Sequence, residues 1–507
     1  MTNPPQGQAT SLQIGVSRPP LPLDDLPTPE EVFKVKKIGG KEMVMCVLGP
    51  SMIALGVSLG SGEWLLGPLA FSKYGFLGLG WLITLSAILQ VFYNVEAARY
   101  TIATGEVPIV GFTRALPGYT FWVPATLILI YLAWIWGGWT SAAGQSLFAI
   151  FAGRTFDPKL PGELQTVRFI AIGLMVLSLV IYLFGQKITR TLEIIDTFLV
   201  ILILAVLGTL AAVLVPGPLW GEMLAGVVTP APIPKGMDAT LLGAIIGYTG
   251  FASGMNFMLI NYYRDHGYGM GHKVGFYSGL VGGKKQDVLP SGVTFRESER
   301  NTKLWKRWFR YLVIDQWAVF FIGAMIGMFV PGVLVMSLAV TPGAGEATTA
   351  NMPVYTAIEL GKHAAWLFPF TLLLGALILF KTQTTILEML IRNTTDAAIA
   401  VSPRLRAWIA GDPRKFYYIL AVVFIVVIGI IIHLALPTML LQISANMANL
   451  AAIIFPVVLI YLNSKLPRPA RAPWWANVIL VLVVLFFGFF FFNFLSVRLT
   501  GQSLVAF

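Results

Sequence analysis

The chain has 507 residues, 56% of them hydrophobic and 12% charged, with a net charge of +11 and a mean hydropathy of +0.76. Soluble domains carry about 25% charged residues, and apolar runs such as Leu192–Val215, Phe416–Ile432 and Trp475–Phe494 exclude a soluble protein because each can cross a hydrocarbon core of ~30 Å. Charge placement excludes a nucleic-acid partner: ten basic residues lie between Arg264 and Arg310 and most others flank apolar runs, the pattern of cytoplasmic loops beside anionic lipid.

In chain order, residues 1–40 are polar and Pro-rich, lead into the basic segment Lys34–Lys41 and contain no apolar core of a signal peptide. They read as a disordered cytoplasmic tail. Eleven spans follow, near 43–72, 76–98, 119–152, 166–186, 191–215, 239–263, 309–337, 364–390, 416–435, 438–463 and 473–496. Alternate loops carry Arg99 and Arg114, Lys187 and Arg190, the 264–310 cluster, the Arg392–Lys415 group and Lys465–Arg471, whereas the opposite loops are poor in Lys and Arg. That asymmetry predicts a cytoplasmic N-terminus and an outer C-terminus, with the chain in the plasma (inner) membrane. Cys46, at the start of the first span, is the only cysteine, so neither an intrachain disulfide nor a cysteine metal cluster is expected.

Two spans are interrupted. The first contains Gly60-Ser61-Gly62-Glu63, and the sixth contains Tyr248-Thr249-Gly250 followed by Ser253, Gly254, Met255 and Asn256. Glycine costs ~1 kcal/mol against alanine inside a helix, so two clusters five spans apart point to a paired feature. Matched Gly-interrupted helices in two halves mark a transporter binding site, where unwound backbone lines a cavity. Close helix packing is the simpler use of such glycines, although it leaves Glu63 unexplained. The halves are 41–215 and 239–463, the second including the cytoplasmic loop 264–308; the helix at 473–496 is extra.

Gly49-Pro50, Lys73-Tyr74-Gly75, Ala97–Arg99 with Ala103-Thr104-Gly105, Tyr311–Asp315 and the polar run Thr382–Thr385 together resemble the Nramp divalent-metal transporters, in order over residues 45–495. The resemblance implies an all-α LeuT-type fold of two inverted five-helix repeats plus one helix, about eleven in all, with helices 1 and 6 broken. It also implies secondary, typically proton-coupled, metal uptake by alternating access. The departures lie in the metal site. The family's Asp-Pro-Gly-Asn in helix 1 is replaced by Gly60-Ser61-Gly62-Glu63, and the Met of its Met-Pro-His in helix 6 aligns with Ser253. The family's acidic residues of the third span are also absent from 133–146.

Glu63, Ser253 and Asn256 would form an oxygen-donor metal site suited to a hard ion such as Mg²⁺ or Mn²⁺. Glu63 is equally suited to capping the amides of the second half-helix. The substrate site is expected at Gly60, Ser61, Gly62, Glu63, Tyr248, Thr249, Gly250, Ser253 and Asn256, with Glu63 and Lys381 as coupling or proton groups. Lys381 lies well inside the eighth span, where an ammonium costs at least ~2.5 kcal/mol. It is expected to replace a coupling cation or to pair with Glu63, unless it snorkels past Glu388 and Arg392 to the inner surface. A cavity-facing Lys381 favours a small anionic or zwitterionic organic solute over a metal ion, its carboxylate held at the half-helix ends.

Trp134, Trp136 and Trp139 are candidates for an aromatic wall or for packing. Asn446 and Asn449 suit an outer gate or helix–helix hydrogen bonds. Glu96, Asp196 and Asp315 are expected to pair with Arg99, Arg190 and Arg310. No cofactor motif, histidine metal cluster or nucleophile–base pair is present, so an enzyme is not expected. The sequence leaves two classes: a transporter of a metal ion or a small organic solute, and a channel or non-transporting sensor.

Overall fold

The structure, a computed structural model, describes residues 21–184, 188–249, 255–275, 289, 291–338 and 351–505. Among the described residues, ten helices are long and apolar enough to span a membrane: Pro50–Tyr74, Gly80–Thr104, Tyr119–Ala152, Gly162–Leu183, Arg190–Leu214, Glu299–Ser337, Leu367–Val401, Arg414–Ile431, Pro437–Ser464 and Trp474–Thr500. The sixth expected span begins with the shorter Ala239–Tyr248, whose N-cap Asp238 accepts the N–H groups of Thr240 and Leu241 at 2.8 and 3.3 Å.

Burial sorts these helices. The most apolar window of the first span is 94% buried, and those of the eighth and second are 78% and 72% buried; in the fourth, fifth and ninth the share falls to 22–28%. The first span is therefore the axis, and the last three face lipid. Small residues let the neighbours close on it, the usual device where helices lack a hydrophobic drive to associate. A Cβ on Gly323 or Gly327 of the seventh span would strike Leu55 or Leu59, and one on Gly375 of the eighth would lie 2.6 Å from Trp64 Nε1.

Several spans run differently from the sequence reading. The eighth continues to Val401, so Glu388 and Arg392 lie in its interior, fully buried, rather than marking its end. Arg392 pairs there with Glu388 at 2.6 Å and with Asp265, and this pairing lets a polar stretch continue inside the protein. The third is interrupted: Tyr119–Trp134 and Gly138–Ala152 are separated at Gly137, whose φ of +65° favours glycine.

Part of the expected disordered tail is ordered. Leu23–Asp24 pairs in parallel with Thr294–Phe295, and Pro29–Phe33 forms a short helix capped by Thr28. Trp308 donates to the Pro27 carbonyl at 3.0 Å, and Arg307 holds Glu30 at 2.5 Å. Arg307, near the start of the Glu299–Ser337 helix, and Lys273, 3.2 Å from Asp24, answer two of the segment's acids, which composition alone does not reveal.

Candidate functional site

The half-helix Pro50–Ser58 starts at a proline, whose fixed φ suits a first helical turn. It stops at Leu59, after which a wide helical turn, Gly62–Leu66, leads into Gly67–Tyr74. Both break glycines serve close approach. A Cβ on Gly60 would lie 2.9 Å from Thr382 Oγ1, and one on Gly62 would lie 3.1 Å from the Tyr248 carbonyl oxygen. The first break thus rests on the eighth and sixth spans.

Stopping a helix in hydrocarbon leaves backbone groups that must find partners. Lys381 Nζ donates to the carbonyls of Gly56 and Leu59, the latter at 3.0 Å. A cation thereby sits at the negative end of the first half-helix. Glu63 works at the other side of the break: Oε2 accepts the Gly60 N–H at 3.2 Å and Oε1 accepts the Ser58 hydroxyl at 3.1 Å. The carboxylate is 2% exposed, and so is Lys381.

Lys381 therefore does not snorkel to the inner surface. Its four-carbon stem is spent reaching the first span, and the strong carbonyl acceptors there replace water. It lies in the field of both Asp196 and Glu63, but among the described residues it forms no ion pair with either, so the expected direct pairing with Glu63 is not observed. Asp196 packs against Gly56 and accepts from Thr385 Oγ1 at 3.3 Å; Arg190 pairs instead with Glu193 at 2.6 Å. Asp315 likewise has no bond to Arg310 and accepts from the Ser51 N–H at 3.1 Å and the Tyr263 hydroxyl at 2.6 Å. Both expectations chose an arginine five or six residues back along the same helix, whereas the donors observed come from other spans. Glu96 does pair with Arg99, at 2.8 Å.

At the break lies a cavity of about 10 Å³, lined by Ser61, Gly62, Glu63, Tyr248 and Thr382 together with Trp134 and Trp139. This is the room of one water-sized sphere. Trp134 and Trp139 stack with ring centroids 5.5 Å apart and 21° between planes, and Tyr248 lies 6.0 Å from Trp134 and 5.7 Å from Trp139. The Gly137 interruption between the two tryptophans makes this wall, and the Trp-Gly-Gly-Trp run was its only sequence signal. Trp136 lies apart, half-buried, and donates to the Leu132 carbonyl. The Ser61 hydroxyl is buried with no hydrogen-bond partner among the described residues.

The structure thus gathers Ser61, Gly62, Glu63 and Tyr248, with Gly60 packed just behind on Thr382. Thr249 and Asn256 do not line the cavity. Both contact Gln90 of the second span, which donates to the Thr249 carbonyl and accepts from Asn256 Nδ2 at 3.2 Å. Sequence reasoning missed Gln90 as the tie across the sixth break. Gly250 and Ser253 lie outside the described residues. Asn446 and Asn449 donate to the Thr240 and Gly243 carbonyls at 3.2 and 2.9 Å, tying the sixth half-helix to the tenth span. Among the described residues no group of three or more His, Cys, Asp or Glu side chains is placed to hold a metal ion.

The architecture has solved counterparts. The chain aligns with the manganese transporter of Eremococcus coleocola, solved with an aromatic bis-isothiourea compound, over 96% of its length and 93% of that chain, with a TM-score of 0.62 and 16% identity. It aligns with MHP1, a nucleobase-cation-symport-1 family transporter solved closed with bromovinylhydantoin, over 90% and 94%, with a TM-score of 0.50 and 11% identity. The fold is of the LeuT type. No protein-family model matches the chain, and no curated protein matches its sequence.

Proposed function

We propose that the chain is a secondary transporter working by alternating access, with its central site at the first and sixth breaks. We assign it a small organic solute bearing an ammonium group, either an amine or a zwitterion. The observation that carries this reading is the Trp134–Trp139–Tyr248 wall facing Glu63 across one cavity. Aromatic faces attract a desolvated ammonium, and a carboxylate completes its recognition.

The balance of buried charge points the same way. Glu63 is the one carboxylate among the residues lining the cavity, so a positive group finds its counter-charge there. Because Glu63 already takes the Gly60 amide at the first break, a substrate carboxylate would have to compete with it there, which disfavours a purely anionic cargo. The cavity's small volume requires the two broken helices to part for an organic cargo to enter. Glu63 and Lys381 are the groups we assign to coupling. We place the Lys- and Arg-rich face, and with it the N-terminus, in the cytoplasm.

One observation favours a second reading. Room for one water-sized sphere beside a carboxylate and the Ser61 hydroxyl suits a hard divalent ion, in line with the Nramp resemblance and the fold shared with a manganese transporter. A single carboxylate next to an ammonium weighs against it.

Thermal shift and calorimetry on the purified protein separate the two. We expect stabilisation by one member of a panel of amines and amino acids, lost in Glu63→Gln and weakened in Trp139→Ala. Stabilisation by Mg²⁺ or Mn²⁺ alone, lost in Glu63→Gln, would establish the ion instead.

A further inference from the structure

On the Lys- and Arg-rich face, the end of the tenth span and residues 21–23 border a bowl of about 890 Å³. Its floor is apolar, from Leu23, Phe295, Leu462 and Leu466, and Lys465 and Arg471 stand among its walls. At Tyr461 the bowl meets a second hollow of about 450 Å³, lined by Trp122, Ile453, Ile454 and Val457 among other apolar residues. From Tyr461 back to Ile453 the helix rises ~12 Å, so this hollow is a groove reaching into the hydrocarbon. Val457 is 55% exposed, which opens the groove outward to lipid.

Two cations of the bowl are available, and one of them lies against Tyr461. The Lys465 ammonium lies 5.2 Å from the Tyr461 ring centroid and has no carboxylate partner among the described residues. Arg471 donates from Nε to the Leu466 carbonyl at 2.9 Å, and its terminal nitrogens have no partner among those residues. Of the other charges at the bowl, Arg114 and Glu297 are engaged, whereas Arg296 reaches Asp25 only at 4.0 Å. Arg114 is held by Glu106 at 2.5 Å, and Glu297 accepts the Arg468 N–H at 2.8 Å. Burial pushes the Glu106 carboxyl up, but Arg114 and the Tyr100 hydroxyl outweigh it and keep it below its ordinary range, so this acid stays ionised and keeps its arginine.

An apolar groove that adjoins a bowl carrying Lys465 and Arg471, neither with a carboxylate partner among the described residues, complements one kind of molecule. We propose that this cleft binds an anionic phospholipid, its phosphodiester between Lys465 and Arg471 and one acyl chain along Trp122, Ile454 and Val457. Guanidinium forks match phosphate oxygens in pairs, whereas an ammonium acts as a point charge. Tyr461, an aromatic ring with a polar tip, sits where such residues favour the membrane interface.

The test is native mass spectrometry of the detergent-purified full chain. It is titrated with phosphatidylglycerol, with phosphatidylcholine of the same acyl chains and with soluble glycerol 3-phosphate. We expect retained phosphatidylglycerol adducts that glycerol 3-phosphate does not displace. Lys465→Gln with Arg471→Gln should weaken binding about thirtyfold, about 2 kcal/mol. Val457→Trp, which fills the groove without touching the cations, should weaken it as well and serves where the double variant does not purify as a single species. Equal retention of phosphatidylcholine, displacement by glycerol 3-phosphate or unchanged binding in Val457→Trp would each overturn the proposal.

Discussion

The eighth span carries two sets of buried charge about two turns apart, and they are handled in opposite ways. Toward its C-terminal half, Arg392 is bonded to Glu388 and Asp265, Arg264 reaches Asp265 at 3.0 Å and Asp396 at 3.2 Å, and Tyr262 donates to Glu388 at 2.8 Å. Charges there are answered by charges. At Lys381 the partners are main-chain carbonyls, and the carboxylates of Glu63 and Asp196 act only through space. The first arrangement locks one geometry. The second leaves an ammonium whose acceptors exist only while the first span is broken and in place. It is the arrangement suited to a site that must change state, because a helix that moves carries its carbonyls away from the lysine.

The contrast can be broken experimentally. The largest effect is expected from Arg392→Met, which takes the shared guanidinium from two buried carboxylates, Glu388 and Asp265. Removing one member of a buried pair costs ~3–5 kcal/mol, so thermal unfolding in detergent should show a severely destabilised protein or none recovered. Lys381→Met should lower the melting temperature less and still abolish substrate uptake into proteoliposomes; equal destabilisation by both would make Lys381 another structural charge. Glu63→Gln preserves shape and should keep the protein folded while ending uptake, and unchanged transport would remove the carboxylate from the mechanism.

Smaller effects sharpen the picture. Gly62→Ala would place a methyl 3.1 Å from the Tyr248 carbonyl oxygen. Overpacking of this kind costs ~1–3 kcal/mol and should appear as reduced uptake with a modest shift in melting temperature. The smallest effect concerns the docked N-terminal segment. The Arg307 hydrogen bond holds the Glu30 carboxyl below its ordinary range. Because the docked form has the lower pKa, its stabilisation is present above the free value and fades as pH falls through the docked one. Protection factors at Val32 and Phe33, which remove the intrinsic pH dependence of amide exchange, should therefore fall on acidification, and in Glu30→Gln this fall should disappear.

Much of the fold is legible in the residues taken singly. Apolar run lengths reveal the spans, the Gly60-Ser61-Gly62-Glu63 interruption reveals the first break, and Glu63 announces itself as a carboxylate with no reason to be in lipid. The third-span interruption was harder to read, since Gly137 and Gly138 fall within an otherwise acceptable apolar helix. Its consequence, the stacking of Trp134 on Trp139, depends on a positive φ at one residue. The partners of Asp196 and Asp315 were misread because proximity in sequence favoured Arg190 and Arg310.

What the sequence by itself determined is the set of segments that must leave water, the places where their helices fail and the face on which positive charge collects. These follow from hydropathy, glycine and the cost of burying charge, which are properties of short stretches. Only the tertiary structure decided which groups answer the exposed backbone. The carbonyls that receive Lys381 belong to Gly56 and Leu59, distant in sequence and chemically identical to every other carbonyl in the chain. Hydrogen-bond acceptors in the main chain carry no sequence signal, so their selection waits for the packing of the first span against the eighth.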